Sequence, residues 1–203
     1  MRPLIDTSAT AAAIFWPVFL GWGLVEWRWI APERRERRRE GRRRSAADKG
    51  TAPLFFLAIY GGFAFAFLAA YRARWAAIGG PRWLVFAAGI AAIVAGVAVR
   101  QWAIHTLGRF HTSEVRILEG HTVVTDGPYR VIRHPSYAGG LLSDVGLCLA
   151  LGNWLSLVIF AGGIGAVMIR RITVEEEALR TGLAPGEYDR YAAGRKRMIP
   201  GVW

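Results

Sequence analysis

Three polar segments in the C-terminal half of this 203-residue chain carry the side chains that could do chemistry. In the first, Arg133-His134-Pro135-Ser136-Tyr137 follows the turn signal Asp126-Gly127-Pro128 and leads into an apolar run. Proline is tolerated in a first helical turn, so a helix is expected to start near Pro135 or Ser136. Its free N–H groups, together with Arg133 and His134, make an anion site. The plainer reading is an ordered turn with Ser136 as its N-cap. In the second segment, Arg171 and Glu175 stand four apart, as do Glu176 and Arg180. That pattern suits a solvated, ion-paired helix face. Three consecutive carboxylates, Glu175 to Glu177, beside an apolar span also hint at a cationic partner. In the third, Tyr188 and Tyr191 share one helix face in a segment closed by Pro200. A tail packed on the rest of the chain is the plain reading there.

Long apolar blocks must position these groups. Ala9–Val25, Thr51–Tyr71 and Trp83–Val99 each approach the roughly 20 residues that cross a bilayer's hydrocarbon layer. None alternates with period two, so they read as helices. The uncharged stretch Val145–Ile169 is broken by Gly152-Asn153. It is either one span or a hairpin of Tyr137–Leu151 and Trp154–Ile169. Charge decides between these. With five spans and the N-terminus outside, 22 Lys/Arg fall on the cytoplasmic side and 4 outside. The positive-inside rule therefore favours the hairpin. It also brings residues 100–136 and 170–203 to one face.

The expected architecture is all-α, a polytopic membrane bundle of about five helices with a C-terminal hairpin over 137–169 and a cytoplasmic tail helix. Residues 1–99 would hold three spans with a basic cytoplasmic loop at 28–50, and residues 100–203 the core that does the chemistry. The basic run Glu33–Arg44 has no interleaved aromatics and no fold that reads nucleic acid, so it reads as a topological anchor at anionic headgroups. Its glutamates would permit a short interfacial helix. No cleavable signal peptide is expected, because the first apolar stretch is longer than an h-region and has no small-residue cleavage site.

A net charge of +11 with 53% apolar residues excludes a disordered chain. Cys148, the single cysteine, excludes a disulfide framework and reads as a buried hydrophobe. His105, His111 and His121 lack tight ligand spacing, so no metal is expected. Asp144, two turns into its span, is either functional or paired with an arginine. No strand–GxGxxG–helix unit exists, and the glycines of 161–166 lie inside a span.

Jointly the motifs are more specific. Val124-Thr125-Asp126-Gly127-Pro128-Tyr129-Arg130 leads to Arg133-His134-Pro135-Ser136-Tyr137-Ala138-Gly139. Then come Arg171, Ile172, Glu175, Glu176 and Leu179, followed by Gly186, Tyr188 and Tyr191 and a closing Ile199-Pro200-Gly201. In this order and spacing the chain resembles the isoprenylcysteine carboxyl methyltransferase-like family of integral membrane methyltransferases, relatives of phospholipid N-methyltransferases. The resemblance covers about half the chain, from Arg100 onward. It departs at Pro185-Gly186, where the family has Phe-Gly.

The resemblance implies S-adenosylmethionine as methyl donor, S-adenosylhomocysteine as product, and no Rossmann domain. Arg133 or His134, with the helix start beyond Pro135, would hold the donor's carboxylate. Glu175 or Glu176 would take its ribose hydroxyls or amino group. Tyr137, Tyr188 and Tyr191 would offer hydroxyls and walls for adenine. Arg171 would orient a carboxylate acceptor, and Glu175 would serve as base for an amine. The acceptor would be a lipophilic or lipidated molecule entering from the bilayer, foremost a prenylcysteine-type carboxylate, with a phospholipid amine or a thiol as alternatives. A membrane reductase, a non-catalytic adaptor and a small transporter are the competing readings. The strong preference for Arg over Lys points to a GC-rich genome, and so to a bacterial inner membrane with the C-terminus cytoplasmic.

Overall fold

The structure, a computed structural model, describes residues 1–39 and 45–203. A helical turn, α1 (Leu4–Thr7), precedes α2 (Ala9–Arg39), α3 (Thr51–Arg72), α4 (Arg82–Leu107) and α5 (Pro135–Leu151). Next comes α6 (Trp154–Gly182), with a π-helical stretch at Leu157–Ala161, and then the short α7 (Glu187–Ala192).

Helices α2 to α6 run back and forth between two ends of one bundle. At one end the N-terminal amine donates to Arg74 O, and Ile78 N donates to Gly152 O. That end therefore gathers the N-terminus, the α3–α4 turn and the α5–α6 turn. The other end gathers residues 45–50, the connection 108–134 and the C-terminal tail. Among the described residues, four passes are long and apolar enough to cross a membrane: Ala9–Ala31, Thr51–Arg72, Arg82–Phe110 and Trp154–Gly182. The fifth, α5, has 17 residues and completes the expected hairpin.

The hairpin turn follows from two residues. Gly152 adopts φ +66°, which a Cβ would resist, and its N–H caps the helix on Cys148 O and Leu149 O. Asn153 then caps α6 by accepting from Ser156 N at 3.0 Å, and its amide donates at 3.0 Å to the carbonyl of Ala73, the residue that follows α3.

Helices α4 and α5 meet backbone to backbone. A Cβ on Gly96 would stand 2.5 Å from Gly139 O, and one on Gly139 would stand 2.6 Å from Gly96 O. Gly89 and Gly146 repeat the arrangement further along. Small residues permit this approach in a bundle whose helices face lipid. Helices α2 and α3 instead meet through rings. Phe15, Phe19 and Trp22 pack on Phe63 and Phe67 with centroids 5.4–6.1 Å apart. Cys148 is fully buried, as expected.

The loop expected from residue 28 starts later, because α2 continues to Arg39. The remainder of the basic run, residues 40–44, lies outside the described residues. Helix α4 carries the chain through residue 100 without a break, and the N-terminal helices share one cavity with the C-terminal ones.

Candidate active site

The motif residues converge at the end of the bundle that holds the tail. The helical hairpin returns Glu175 and Glu176 to the start of α5, and the tail closes over both. Arg133 N donates to Lys196 O and His134 N to Arg197 O, each at 2.8 Å. His134, the residue before α5, is thereby fixed on both backbone and ring.

Glu176 is fully buried and gathers four cations or potential cations. Arg133 Nη1 lies 2.9 Å from Oε1, and His134 Nε2 lies 3.2 Å from the same oxygen. Arg197 Nη2 lies 2.9 Å from Oε2, and Arg180 Nη2 lies 3.6 Å from it. Such a buried carboxylate is tolerated only because it is so fully paired. The bond to Glu176 in turn raises the Arg197 guanidinium's pKa, against its partial burial.

Glu175, one residue earlier, points elsewhere. Its Oε2 accepts the Tyr137 hydroxyl proton at 2.6 Å. Tyr137 Oη itself accepts from Arg171 Nε at 2.8 Å. Arg171 also donates from Nη1 to Asp48 Oδ1 and Thr51 Oγ1, each at 3.3 Å, and from Nη2 to Ser113 O at 2.8 Å. A continuous polar chain thus runs Asp48–Arg171–Tyr137–Glu175. Burial disfavours the Asp48 carboxylate. The N–H groups of Ala52 and Val115 and the charge of Arg171 outweigh it, so its pKa lies below the ordinary value.

A cavity of about 670 Å³ opens beside this network. Arg133, His134, Tyr137, Arg171, Glu175, Tyr188 and Tyr191 line its polar end. Pro135 and Glu176 are not on its wall. The structure therefore brings all nine expected residues together but sorts them. Glu176 stands behind Arg133 and His134 rather than facing the cavity, and Pro135 starts the helix. Tyr188 and Tyr191 sit on α7, both buried. Burial pushes both phenols up, Tyr191 to about 12, so both stay protonated at neutral pH. Tyr191 Oη donates to Tyr129 O at 3.1 Å, so its proton is already used. Ser136 does not cap α5; its Oγ accepts from Arg100 Nη1 at 2.7 Å.

The cavity's other end is apolar. Phe19, Leu20, Gly23 and Leu24 of α2 face Phe55, Ile59 and Phe63 of α3 there. Leu20 and Leu24 are at the same time 58% and 68% exposed, so this wall also borders the outer surface of the bundle.

Five groups on or beside the site were not singled out from sequence: Asp48, Thr51, Glu26, Arg100 and Arg197. Glu26 was the one with a local signal, an acid just past an uncharged span of 16 or more residues.

Residues 88–181 match the family model described as the isoprenylcysteine carboxyl methyltransferase (ICMT) family. Over these residues the chain is similar to that family. It is 41% identical over 96 residues to protein-S-isoprenylcysteine O-methyltransferase A of Arabidopsis thaliana, covering 46% of this chain and 49% of the relative. It is 37% identical over 100 residues to form B from the same plant, covering 48% and 51%. The chain thus spans about half the length of these curated relatives. Its fold is similar to a solved structure of the eukaryotic intramembrane Ras methyltransferase ICMT, with a TM-score of 0.61 and 24% identity. That likeness covers 74% of this chain and 53% of the other, and shows the ICMT fold. The family match spans most of α4, all of α5 and nearly all of α6; it leaves α2 and α3 outside.

Proposed function

We propose that the protein is an S-adenosylmethionine-dependent methyltransferase of a lipophilic acceptor, foremost a prenylcysteine-type carboxylate, in a bacterial inner membrane. The observation that carries this reading is the cavity itself. One continuous space joins a polar end, lined by the family's motif residues, to an apolar end between two membrane-length helices. A water-soluble donor and a lipid-borne acceptor could meet there without either leaving its own phase.

The polar end fits a zwitterionic sulfonium donor. Among the described residues, Arg133 Nε and Tyr188 Oη on its lining make no well-formed hydrogen bond, and the two side chains lie beside each other. Buried polar groups are rarely left so, and a bound ligand would satisfy them. Arg133 and His134 would hold the donor's carboxylate, with the α5 start beyond Pro135. Glu175 and Tyr137 would take its amino group or ribose, and Tyr188 and Tyr191 would wall its adenine. Glu176 would fix Arg133 and His134 from behind. The donor supplies an electrophilic methyl group and leaves as S-adenosylhomocysteine, a neutral thioether.

A carboxylate acceptor needs no base, so the protein's task is alignment. Arg171 would serve by fixing Tyr137, since its Nε, Nη1 and Nη2 each already donate to the protein. A lipid amine is the second reading. The acids Glu26 and Asp144 on the cavity wall favour it, with Glu175 as base. With the N-terminus outside, the basic end, the donor site and the tail would all face the cytoplasm.

The test is calorimetric binding of S-adenosylmethionine and S-adenosylhomocysteine to detergent-purified protein, with His134→Ala beside the parent, followed by methyl transfer from labelled donor to N-acetyl-S-farnesylcysteine. Donor binding that His134→Ala abolishes, with label appearing in a base-labile ester, supports the reading. A folded parent that binds neither compound would sink it.

A further inference from the structure

Resting on the methyltransferase reading above, we infer that Asp144, with Glu26 beside it, is a subsite for an ammonium group on the acceptor, so that the acceptor is a lipophilic molecule whose head keeps a free amine.

Asp144 lies inside α5, 3% exposed, and on the cavity wall. Among the described residues it makes no hydrogen bond and no ion pair. The other buried acids of the described residues, Asp48 and Glu176, are each held by several donors. Arg100 is near enough to feel the charge of Asp144 but not near enough to pair with it. Its Nε donates instead to Glu26 Oε1 at 2.7 Å, and its Nη1 to Ser136 Oγ at 2.7 Å. A buried carboxyl left without a partner is costly, and a ligand that donates to it removes the cost.

The local charges say which ligand. Glu26 and Asp144 are two acids around one arginine, and Glu26 has already spent its charge on Arg100. Ionised together, the three side chains lack one positive charge. An ammonium supplies both the charge and the N–H donors. On α2, Trp22 stands one helical turn from Glu26 and also lines the cavity. An aromatic face beside carboxylates is a setting that favours a cation.

The room for that group comes from a glycine. Ser136, Gly140 and Asp144 stand at four-residue intervals along one face of α5, and all three line the cavity. Helical side chains lean toward the helix start, so Asp144 leans over Gly140, which has none. A Cβ on Gly140 would stand 4.0 Å from Arg100 Nη1 and 3.7 Å from Met168 Cε. A larger side chain there would fill the gap between the acid and the guanidinium.

Depth assigns the subsite to the acceptor rather than to the donor. Asp144 follows Tyr137 by two helical turns, which places it about 10 Å farther from the polar end. Arg133, His134 and Glu175 stay behind at that end. The apolar wall begins at Gly23 and Leu24 of α2, next to Glu26. A head group held by Asp144 would thus have the tail's path directly beside it.

The experiment compares three ligands with one tail: S-farnesylcysteine, N-acetyl-S-farnesylcysteine, and S-farnesyl-3-mercaptopropionic acid, which lacks the amine. Each is titrated by tryptophan fluorescence with S-adenosylhomocysteine present, against the parent, Asp144→Asn and Asp144→Glu. The parent should bind S-farnesylcysteine about tenfold more tightly than either of the others, the scale of one hydrogen bond to a charged group. Asp144→Asn should bring that ratio below about twofold, and Asp144→Glu should keep part of it. Affinity for the amine-free ligand and for S-adenosylhomocysteine should not change. A parent that binds S-adenosylhomocysteine yet ranks the acetylated or amine-free ligand level with S-farnesylcysteine overturns the inference and leaves the methyltransferase reading intact. This ranking needs no variant, so it decides even where Asp144→Asn fails to fold. A folded Asp144→Asn protein that keeps the parent's ranking also overturns it. So does a selective loss of S-adenosylmethionine over S-adenosylhomocysteine in that variant, which would give the acid to the donor's sulfonium. A folded parent that binds neither compound overturns the methyltransferase reading itself, and this inference with it.

Discussion

Arg171 Nη1 lies 3.3 Å from Asp48 Oδ1, across 123 residues of sequence, and both side chains are almost wholly buried. This pair fastens the last long helix to the segment that precedes α3. Asp48 also accepts from Ala52 N and Val115 N, so one carboxylate joins three parts of the chain. Its pKa is lowered in the fold from an ordinary 3.8. The contribution to stability is therefore complete above about pH 4 and is lost as pH falls through the lowered folded value. Asp48→Asn should lower the melting temperature at neutral pH and flatten the dependence below pH 4, as followed by thermal unfolding in detergent.

His111 sets a second pH dependence, in a different window. Burial, with Arg100 and Arg171 nearby, pushes its pKa from 6.5 down to about 3. Between those values the unfolded chain binds a proton that the folded chain refuses. Stability therefore falls as pH drops from 6.5 toward 3. His111→Gln should lose less stability than the parent between pH 7 and pH 4.5 in the same assay.

Glu176 holds Arg133, His134 and Arg197 at 2.9 to 3.2 Å. Removing it leaves buried or half-buried cations without a counter-charge. Glu176→Ala should cost about 3–5 kcal/mol of stability, the usual penalty for breaking a buried ion network. Glu175→Gln, on the cavity side, should cost far less stability but weaken donor binding. Side-by-side unfolding and calorimetry would check that split.

The Tyr137 hydroxyl bridges Arg171 and Glu175 without being itself a charged group. Tyr137→Phe keeps the ring and removes the bridge. Methyl transfer should slow about tenfold to a hundredfold, as small misplacements at an aligned site do. The melting temperature should move little. A rate within twofold of the parent would show that the bridge does not position anything the reaction needs.

Gly96→Ala should force α4 away from α5, because the added Cβ meets the carbonyl of Gly139 and the Ser143 side chain. Overpacking of this kind costs about 3 kcal/mol at its upper end. Gly163→Ala, where a Cβ meets nothing within 4 Å, is the control and should be neutral. Yield of folded protein in detergent distinguishes the two.

Much of this arrangement was legible because it is written locally. Uncharged blocks of membrane length gave the passes, and Gly152-Asn153 gave the hairpin turn. The counting of arginines placed both polar segments at one end. What was not legible is pairwise and distant. Asp48 reads as one acid in a basic stretch, and nothing near it announces Arg171. The sequence also left Glu175 and Glu176 interchangeable. Neighbouring helix residues point about 100° apart, so the fold could give only one of them to the cavity. Helix α2 runs on to Arg39, past the expected start of the loop.

The glycine seam has a consequence for how such a protein can diversify. Gly89, Gly96, Gly139 and Gly146 lie within the matched residues 88–181, where two backbones touch and little can change. The apolar cavity wall of α2 and α3 lies outside that region, joined mainly through rings. On the proposed function, the half with touching backbones would move the methyl group and the ring-packed half would meet the lipid. A lineage could exchange one acceptor tail for another by repacking two helices, without touching the transfer chemistry.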